Sequence, residues 1–329
     1  MLQDHWGRQI KYLRISITDH CNLRCVYCMP EDNIHWYPHE SIMRYEEIEK
    51  FARVAAKFGV RSVRLTGGEP LVRPDVVNLI RLLADIPEIE DISLTTNGML
   101  LEKMAQDLKA AGLNRVNVSM DTLNPELFKK ITRHGSLEQV WSGILEAEKV
   151  GLNPIKINVV AMRGVNDQEF RNLALLTLEH QWHVRFIELM PIKNQVPWGN
   201  GFPLPDEAYI STGEIQELLH DLDLKPVTNS IGVGPAKIYA IEGGKGAIGF
   251  ISPLGEEHFC ARCNRMRLTA DGHIRPCLMS DVEIDALSAM RQGLPIEPLL
   301  QEAVKIKPEH HELALNLSPI DRNMMQIGG

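Results

Sequence analysis

The chain has 329 residues, of which 44% are apolar and 24% are charged, and its formal net charge is −8. These values are typical of a globular protein and exclude a disordered or fibrous chain, and the negative balance argues against a general nucleic-acid binder, which needs a basic surface. No run approaches the roughly 20 apolar residues that span a bilayer, and the amino terminus lacks a secretory pattern. We therefore expect a cytoplasmic protein with no membrane or nucleic-acid partner.

Short β-branched runs alternate with longer helical stretches from about residue 13 to residue 190, which is typical of βα units around a parallel sheet. The predicted strands are Leu13–Thr18, Ser62–Thr66, Asp91–Thr96, Arg115–Met120, Ile155–Val160 and Val184–Leu189. The predicted helices are Tyr45–Phe58, Asp75–Ala84, Leu101–Ala111, Leu137–Val150 and Asp167–Glu179. This order of elements predicts an α/β fold.

The predicted strands carry polar side chains on one face, although parallel strands are normally buried on both faces. The polar positions are Arg14, Ser16, Thr18, Ser62, Arg64, Thr66, Ser93, Thr95, Asn117, Ser119, Asp121, Lys156 and Asn158. A partial (β/α)6 TIM-like barrel explains them if the polar face lines a lumen that holds a polar ligand. An open sheet with one solvated face is the alternative, which we favour less because parallel sheets rarely leave a face uncovered.

The first of two cysteine groups follows the first strand directly and comprises Cys21, Cys25 and Cys28. In a reducing compartment such tight spacing favours metal or cluster ligation over disulfides. Three thiolates on a cubane of four irons leave one iron open for a small molecule. The alternative is a zinc site closed by His20 or His35, because structural zinc takes four ligands.

Pro- and Gly-rich sequence from about 191 to 235 predicts a boundary between a domain of residues 1–230 and a C-terminal domain of residues 231–329. One short helix is predicted near Gly213–His220, and two strand-like runs, Ala236–Ile241 and Ala247–Ile251, follow. Beyond them we expect a helix-rich tail.

The second cysteine group, Cys260, Cys263 and Cys277, again offers three ligands. Its spacing alone leaves two readings open, a second cluster with an open iron or a structural zinc completed by His258 or His273.

The first cysteine group has the pattern C-x3-C-x-aromatic-C, with Tyr27 as the aromatic residue, and it resembles the signature of the radical S-adenosylmethionine superfamily. The segment from Thr66 to Pro70, Thr-Gly-Gly-Glu-Pro, resembles the motif that receives the methionine amino group in that superfamily. Together with the second triad, the segment Asn264-Arg265-Met266-Arg267 and the closing Gly328-Gly329, nearly the whole chain resembles the GTP 3′,8-cyclase family of molybdenum cofactor biosynthesis.

This resemblance implies two [4Fe–4S] clusters, the first binding S-adenosylmethionine and the second binding the purine of GTP. It implies that a 5′-deoxyadenosyl radical abstracts the ribose 3′ hydrogen and that C3′ attacks guanine C8, giving (8S)-3′,8-cyclo-7,8-dihydroguanosine 5′-triphosphate. The implied partners are a flavodoxin- or ferredoxin-like electron donor, the next enzyme, cyclic pyranopterin monophosphate synthase, and a second copy of the chain in a homodimer.

The resemblance also implies site residues. The expected S-adenosylmethionine contacts are Tyr27, Gly68, Ser119 and Met190. The expected GTP contacts are Arg14, Arg64, Thr95, Lys156, Arg185, Arg265, Met266 and Arg267. Six of these are cations, as a triphosphate with about four negative charges requires.

The two closing glycines, which neither a helix nor a strand needs at its end, indicate either a disordered terminus or a segment of backbone that enters the active site, and the second reading is the one we pursue. Two other functions remain as alternatives. One is a peptide-modifying radical enzyme with an auxiliary cluster, and the other is a non-catalytic zinc protein that binds RNA or protein through two cysteine knuckles.

Overall fold

The structure is a computed structural model that describes residues 1–30, 32, 34–190, 198–199, 201–227, 234–256, 259–311 and 322–328. Its strands are β1 (Tyr12–Ser16), β2 (Ser62–Thr66), β3 (Asp91–Thr96), β4 (Arg115–Ser119), β5 (Lys156–Ala161), β6 (His183–Glu188), β7 (Lys225–Pro226), β8 (Lys237–Ala240), β9 (Ala247–Ile251), β10 (Arg265–Leu268), β11 (His273–Arg275) and β12 (Ile284–Asp285). Its helices are α1 (Tyr45–Lys57), α2 (Val76–Ala84), α3 (Leu101–Ala110), α4 (Pro125–Thr132), α5 (Leu137–Lys149), α6 (Phe170–Glu179), α7 (Thr212–Leu218), α8 (Ala286–Arg291), α9 (Glu297–Lys305) and α10 (Met324–Ile327).

The strands form one sheet in the order β12-β11-β10-β1-β2-β3-β4-β5-β6-β9-β8-β7. The six predicted parallel strands occupy its centre, so the predicted α/β partial barrel is confirmed. Two strands from the C-terminal part extend it in parallel, since β10 pairs with β1 and β9 pairs with β6. Both ends of the barrel-forming sheet are therefore built from the C-terminal part of the chain. The predicted domain boundary lies within residues 228–233, outside the described residues, and stays a prediction.

The two faces of the sheet differ as the alternating sequence predicts. Leu13 and Ile15 of β1 are fully buried in the core beneath the helices, where they pack with residues such as Phe51 of α1. The opposite face is polar and yet also buried, with Ser93 0% and Asn117 1% exposed. This burial excludes a sheet with one solvated face, so the polar side chains line an interior space.

Several elements depart from the prediction. Helix α4 lies between β4 and α5, where only one helix was predicted, and Asn124 caps it by accepting hydrogen bonds from two backbone amides of its first turn. The predicted Asp167–Glu179 helix begins as a short 3-10 turn and becomes α-helical only at Phe170. Strands β10 to β12 are only four, three and two residues long and were not predicted. Among the described helices, none is long and apolar enough to cross a membrane.

Candidate functional site

A cavity of about 310 Å³ opens at the carboxyl ends of the parallel strands and is lined by all six cysteines. Active sites of parallel barrels lie at this end. Cys21, Cys25 and Cys28 come from the loop that follows β1, whereas Cys260, Cys263 and Cys277 come from the segments on either side of β10 and β11. Because β10 pairs directly with β1, the topology brings the two triads to the same opening.

Two glycines after β2 allow close backbone contact with the loop of the first triad. The Gly68 amide donates to the Thr18 carbonyl over 2.7 Å, and the Glu69 amide donates to the His20 carbonyl over 2.8 Å. A Cβ atom on Gly68 would lie 2.3 Å from the His20 carbonyl oxygen, so only glycine fits there. The Gly-Gly-Glu-Pro segment is thus packed against the residues that lead into Cys21.

The Glu69 carboxylate fixes the next strand end beside the same loop. It accepts hydrogen bonds from the Thr96 hydroxyl over 2.7 Å and from the Asn97 amide over 2.6 Å. Burial raises the pKa of Glu69 to about 7, although these donors favour its charged form. The Asn97 side chain in turn points its amide nitrogen at the Cys21 sulfur over 3.8 Å.

Tyr27, the aromatic residue of the first cysteine motif, is anchored to β4. Its hydroxyl donates to the Asp121 carboxylate over 2.7 Å, and the Val160 amide donates to the other carboxylate oxygen over 2.8 Å. Burial raises the pKa of Asp121 to about 6 and, with Asp121 nearby, the pKa of Tyr27 as well. Sequence analysis identified Asp121 as a polar lumen residue but not as the partner of Tyr27.

The thiols of the first triad lie in surroundings that disfavour their ionisation. Burial raises the pKa of Cys21 to about 11, and Glu69 adds to the increase. Burial and the neighbouring Cys21 raise the pKa of Cys28 to about 12. Burial, Cys28 and Asp121 raise the pKa of Cys25. The three thiols therefore lie close enough together to influence one another's ionisation.

The second triad lies in positively charged surroundings. Burial tends to raise the pKa of Cys263, but Arg265 and Lys307 outweigh it and lower that pKa to about 6. Burial raises the pKa of Cys277, with Lys307 acting against it. Arg265 also lies over the ring of Phe259, with 5.3 Å between its guanidinium carbon and the ring centre.

A group of arginines lies between the triads on three adjacent strands. Arg14 of β1 is in register with Arg64 of β2 on one side and with Arg267 of β10 on the other. Burial, together with repulsion from Arg64 and Arg265 and against the effect of Tyr12, lowers the pKa of Arg14 to about 10. Within the described residues, no carboxylate forms an ion pair with Arg64, Arg265 or Arg267. Such concentrated positive charge is suited to a polyanionic ligand.

Arg185 reaches the same space from β6. Its Nη2 donates to the Asn117 and Asn158 side chains over 2.8 and 2.5 Å, which fixes the guanidinium on the lumen side. Its Nε and the Thr95 hydroxyl are buried without a hydrogen-bond partner among the described residues. Buried polar groups are normally satisfied, so these two atoms indicate a polar ligand that completes the site.

The C-terminal segment 322–328 enters the cavity from the second-triad side. Met324 and Met325 line the cavity, and the Gly328 carbonyl accepts a hydrogen bond from Arg267 over 2.8 Å. Arg322 fixes the start of this segment through a two-pronged ion pair with Asp271, at 3.0 and 2.9 Å. Gly329 lies outside the described residues, so the expected role of the pair of glycines stays a prediction.

Most of the predicted site residues line this one cavity. The predicted residues that do so are Arg14, Cys21, Cys25, Tyr27, Cys28, Arg64, Gly68, Thr95, Ser119, Arg185, Met190, Cys260, Cys263, Arg265, Arg267 and Cys277. Met266 differs, because it alternates with its two arginine neighbours on β10 and its side chain is 1% exposed in the apolar core. Lys156 is the first residue of β5 and lies below the residues that line the cavity. Burial and the positive charges of Arg185 and Arg115 lower its pKa to about 6.

Some residues of the site were missed by the sequence analysis. Asn97 directly follows β3 in the polar run Thr95-Thr96-Asn97. A polar run at the end of a strand was a signal from which this site residue could have been predicted. Lys307 and His311 also line the cavity. They come from the segment after α9, where no local pattern marks them.

The donor set fits iron–sulfur clusters better than single zinc ions. In the part of the chain that the structure describes, no three His, Cys, Asp or Glu side chains are grouped so as to hold one metal ion. Zinc would need four such donors at about 2.0–2.3 Å from one point, whereas a cubane gives each thiolate its own iron. His258, one proposed zinc ligand, lies outside the described residues.

Comparison with known proteins places the chain among radical enzymes. Residues 15–177 match the family model of the radical SAM superfamily, and residues 182–313 match the model named Molybdenum Cofactor Synthesis C. Among solved structures, SuiB of Streptococcus suis bound to S-adenosylmethionine aligns with a TM-score of 0.61 at 17% identity, over 85% of this chain and 64% of SuiB. This likeness shows the fold alone. Fold, cysteine motif and family model together define a radical S-adenosylmethionine enzyme.

Curated relatives narrow the class. The GTP 3′,8-cyclases of Petrotoga mobilis and Moorella thermoacetica are both 48% identical to this chain, the first over 99% of each chain and the second over 100% of each. The GTP 3′,8-cyclase of Listeria monocytogenes is 46% identical over 100% of this chain and 99% of its own length. The chain belongs to the GTP 3′,8-cyclase family. Its cofactors are S-adenosylmethionine and two [4Fe–4S] clusters.

Proposed function

We propose that this protein converts GTP into (8S)-3′,8-cyclo-7,8-dihydroguanosine 5′-triphosphate, the first step of molybdenum cofactor biosynthesis. The observation that carries the proposal is the single cavity in which two cysteine triads flank a group of arginines. One triad suits the generation of a radical and the arginines suit a triphosphate, so both reactants can be held in the same space.

When bound, the cofactors would supply a 5′-deoxyadenosyl radical able to remove the 3′ hydrogen from the ribose. C3′ would then bond to guanine C8, and one electron from the electron donor and one proton would complete the 7,8-dihydro product. The protein's own residues hold the reactants in place. The Gly68 backbone, Tyr27, Ser119 and Met190 contact S-adenosylmethionine beside the first triad. Packing of the partly buried Tyr27 ring and the hydrogen bond of its hydroxyl to Asp121 keep that ring fixed.

The cations hold the triphosphate. Arg14, Arg64 and Arg267 form a row across three paired strands, and Arg185 faces them with its guanidinium fixed by two asparagines. Arginine binds phosphate oxygens in a bidentate manner, so this row fixes the ribose relative to the first triad. Arg265 contributes from the second triad, and Lys156 from the deeper layer gains a proton when the anion binds. Met266 contributes through its backbone, because its side chain is in the core.

The proposal extends to partners and location. A flavodoxin- or ferredoxin-like protein donates the electrons, cyclic pyranopterin monophosphate synthase takes the product, and the chain works as a homodimer in the cytoplasm. A peptide substrate is less well supported, since it does not call for a row of arginines in the lumen.

The test is anaerobic incubation of the reconstituted protein with S-adenosylmethionine, dithionite and GTP carrying deuterium at C3′. We expect 5′-deoxyadenosine that has gained one deuterium, together with a cyclised nucleotide of unchanged oxidation level. The matched control replaces GTP with ATP and should give no cyclised product. Deoxyadenosine without deuterium, or without any GTP-dependent product, would contradict the proposed substrate.

A further inference from the structure

Arg8 connects the amino-terminal segment to the second triad. Its guanidinium is buried and its Nη1 donates to the Cys260 carbonyl over 2.9 Å. The same group donates to the carbonyls of Glu309 and Pro308 over 2.9 and 2.6 Å. Asp4 accepts from Nε over 2.6 Å and thereby orients the guanidinium. One side chain thus joins the first cysteine of the triad to the segment after α9.

Lys307 lies in that segment and contacts the other two parts of the triad. Its Nζ donates to the Arg265 carbonyl over 3.0 Å, two residues after Cys263. It also donates to the carbonyl of Pro276, the residue before Cys277, over 2.5 Å. Arg8 and Lys307 together therefore hold every segment of the chain that bears a cysteine of the second triad. We call these two residues the cationic clamp.

The charge of Lys307 needs a counter-charge. Lys307 is 4% exposed and lines the cavity, and no carboxylate among the described residues forms an ion pair with it. A buried lysine is rarely found unless it is paired. A [4Fe–4S] core of charge 2+ with three thiolates carries a net charge of about −1, which becomes about −2 when it takes up one electron. The second cluster, when bound, would supply the anion that this buried lysine lacks.

We propose that Arg8 and Lys307 are positioning residues of the second cluster: they hold its three cysteine-bearing segments in place, and the charge of Lys307 favours the reduced form of the cluster. The clamp concerns the cofactor and not the substrate, so it rests on the two-cluster assignment and is independent of GTP. A cluster's reduction potential depends on net charge and on hydrogen bonds in its surroundings. A cation beside the cluster stabilises the extra negative charge that the electron brings.

Four variants test the clamp in the full-length, anaerobically reconstituted protein. Lys307→Gln keeps a hydrogen-bond donor and removes the charge, whereas Lys307→Arg keeps both. Arg8→Met removes the contact with Cys260. Lys109→Gln is the matched control, because Lys109 also donates to a backbone carbonyl, that of Gly151 over 2.8 Å, but does not line the cavity.

The readouts are iron content, apoprotein melting temperature and the midpoint potential of the second cluster, titrated with dithionite and redox mediators in the absence of S-adenosylmethionine and GTP. For the potential, the first triad is replaced by serines in every protein, so that only one cluster remains. We expect Lys307→Gln to lower the reduced-to-oxidised ratio at a fixed potential about tenfold, which is a shift of about 59 mV to more negative values for one electron. Lys307→Arg and Lys109→Gln should leave the potential near that of the parent.

Arg8→Met should reduce the iron content from about eight to about four atoms per chain while the first cluster remains. An unchanged potential in Lys307→Gln would overturn the charge role of the clamp. Full iron content in Arg8→Met, or equal loss from both clusters, would overturn its positioning role. If Lys307→Gln lowers the melting temperature of the apoprotein more than Lys307→Arg does, its potential alone does not separate the effect of charge from the effect of stability. The potential of Lys307→Arg then decides, because a shifted potential in the variant that keeps the charge contradicts the proposal. None of these results depends on whether GTP is the substrate.

Discussion

The two cysteine triads share one cavity but lie in opposite electrostatic surroundings. Near the first triad are the buried carboxylates of Glu69 and Asp121, and the pKa values of its thiols are raised. Near the second are Arg265 and Lys307, and the pKa of Cys263 is lowered to about 6 against the effect of burial. We call the side of the cavity at the first triad, with its carboxylates, the negative half, and the side at the second triad, with its cations, the positive half.

This difference follows from where each triad sits in the fold. The first loop follows β1 and packs against the glycines after β2, so its neighbours are strand ends of the barrel. The second triad flanks β10, which brings two arginines in alternate positions next to β1 in the same sheet. A positively charged ligand group is favoured near the first triad, and a polyanion is favoured near the second. The sulfonium and the triphosphate match this order.

Removing one cysteine from each triad gives the largest expected difference. Cys25→Ala should abolish 5′-deoxyadenosine formation, because the site that binds S-adenosylmethionine loses its cluster. Cys263→Ala should keep some 5′-deoxyadenosine formation and lose the cyclised nucleotide. Each variant should contain about four irons instead of about eight. Equal loss of deoxyadenosine from both variants would show that the triads do not have separate roles.

The positive half is tested next by Arg265→Ala. Charged hydrogen bonds contribute about 1.5–3 kcal/mol, so we expect GTP to bind roughly tenfold to a hundredfold more weakly with both clusters retained. The matched control is Arg262→Ala, an arginine of the same loop whose side chain is 58% exposed and pairs with Glu256. Equilibrium binding of GTP and iron content measure the two effects. An unchanged GTP affinity would remove Arg265 from the binding site.

The site residues that occupy alternate positions along the strands could be predicted from the sequence. Strands β2 and β3 begin and end where predicted, since each has a period of two that is strong enough to separate core from lumen. The same rule identifies Arg14 and Arg64 as lumen residues. The same alternation is present in β10, where Arg265 and Arg267 alternate with apolar residues. A strand of four residues is too short for this pattern to be recognised beside a cysteine motif.

Contacts through the backbone could not be predicted. Lys307 lies thirty residues after Cys277 and reaches the triad through carbonyl groups, which no side-chain pattern reports. The bond between Tyr27 and Asp121 likewise joins residues far apart in sequence, and only the packing of β4 beside the first loop brings them together. The order of the strands in the sheet could not be predicted either, because β10 pairs with β1 although most of the chain separates the two strands in sequence.

A smaller effect is expected from the deepest cation, Lys156. Burial and the nearby Arg185 and Arg115 lower its pKa to about 6, while the unfolded chain has a value of about 10.4. Between these values the unfolded chain binds more protons, so the free energy of unfolding should rise with pH from about 6 upward. Lys156→Met should flatten this rise and stabilise the apoprotein at pH 7 by about 1 kcal/mol.

The same substitution should weaken GTP binding and reduce the proton uptake that accompanies it, which calorimetry in buffers of different ionisation enthalpy measures. Lys109→Met, a substitution of an exposed lysine, is the control for both curves. Parallel pH dependences of unfolding in Lys156→Met and the parent protein would contradict the lowered pKa. They would also contradict the proton uptake that we assign to Lys156 when GTP binds.

The most local effect concerns the C-terminal segment 322–328, which contacts both halves of the cavity. The Gly328 carbonyl accepts from Arg267 on the second-triad side, and a Cβ on Gly328 would lie 2.3 Å from the Thr66 hydroxyl on the first-triad side. Gly328→Ala should therefore displace the tail, with amide exchange of Ile327 rising roughly tenfold, equivalent to about 1.4 kcal/mol. The global melting temperature should change little, since Arg322 still fixes the start of the segment through its ion pair with Asp271.

Gly164→Ala is the control for backbone strain, because Gly164 has φ +68° against +67° for Gly328 but has no atom within 4 Å of its Cβ position. This control separates the free-energy cost of the left-handed backbone conformation, about 1 kcal/mol, from the cost of the clash with Thr66. Thr66→Ala removes the clashing hydroxyl, so the double variant with Gly328→Ala should recover part of the protection at Ile327. If exchange at Ile327 is the same in Gly328→Ala and the parent protein, the tail does not fill the space between the two triads.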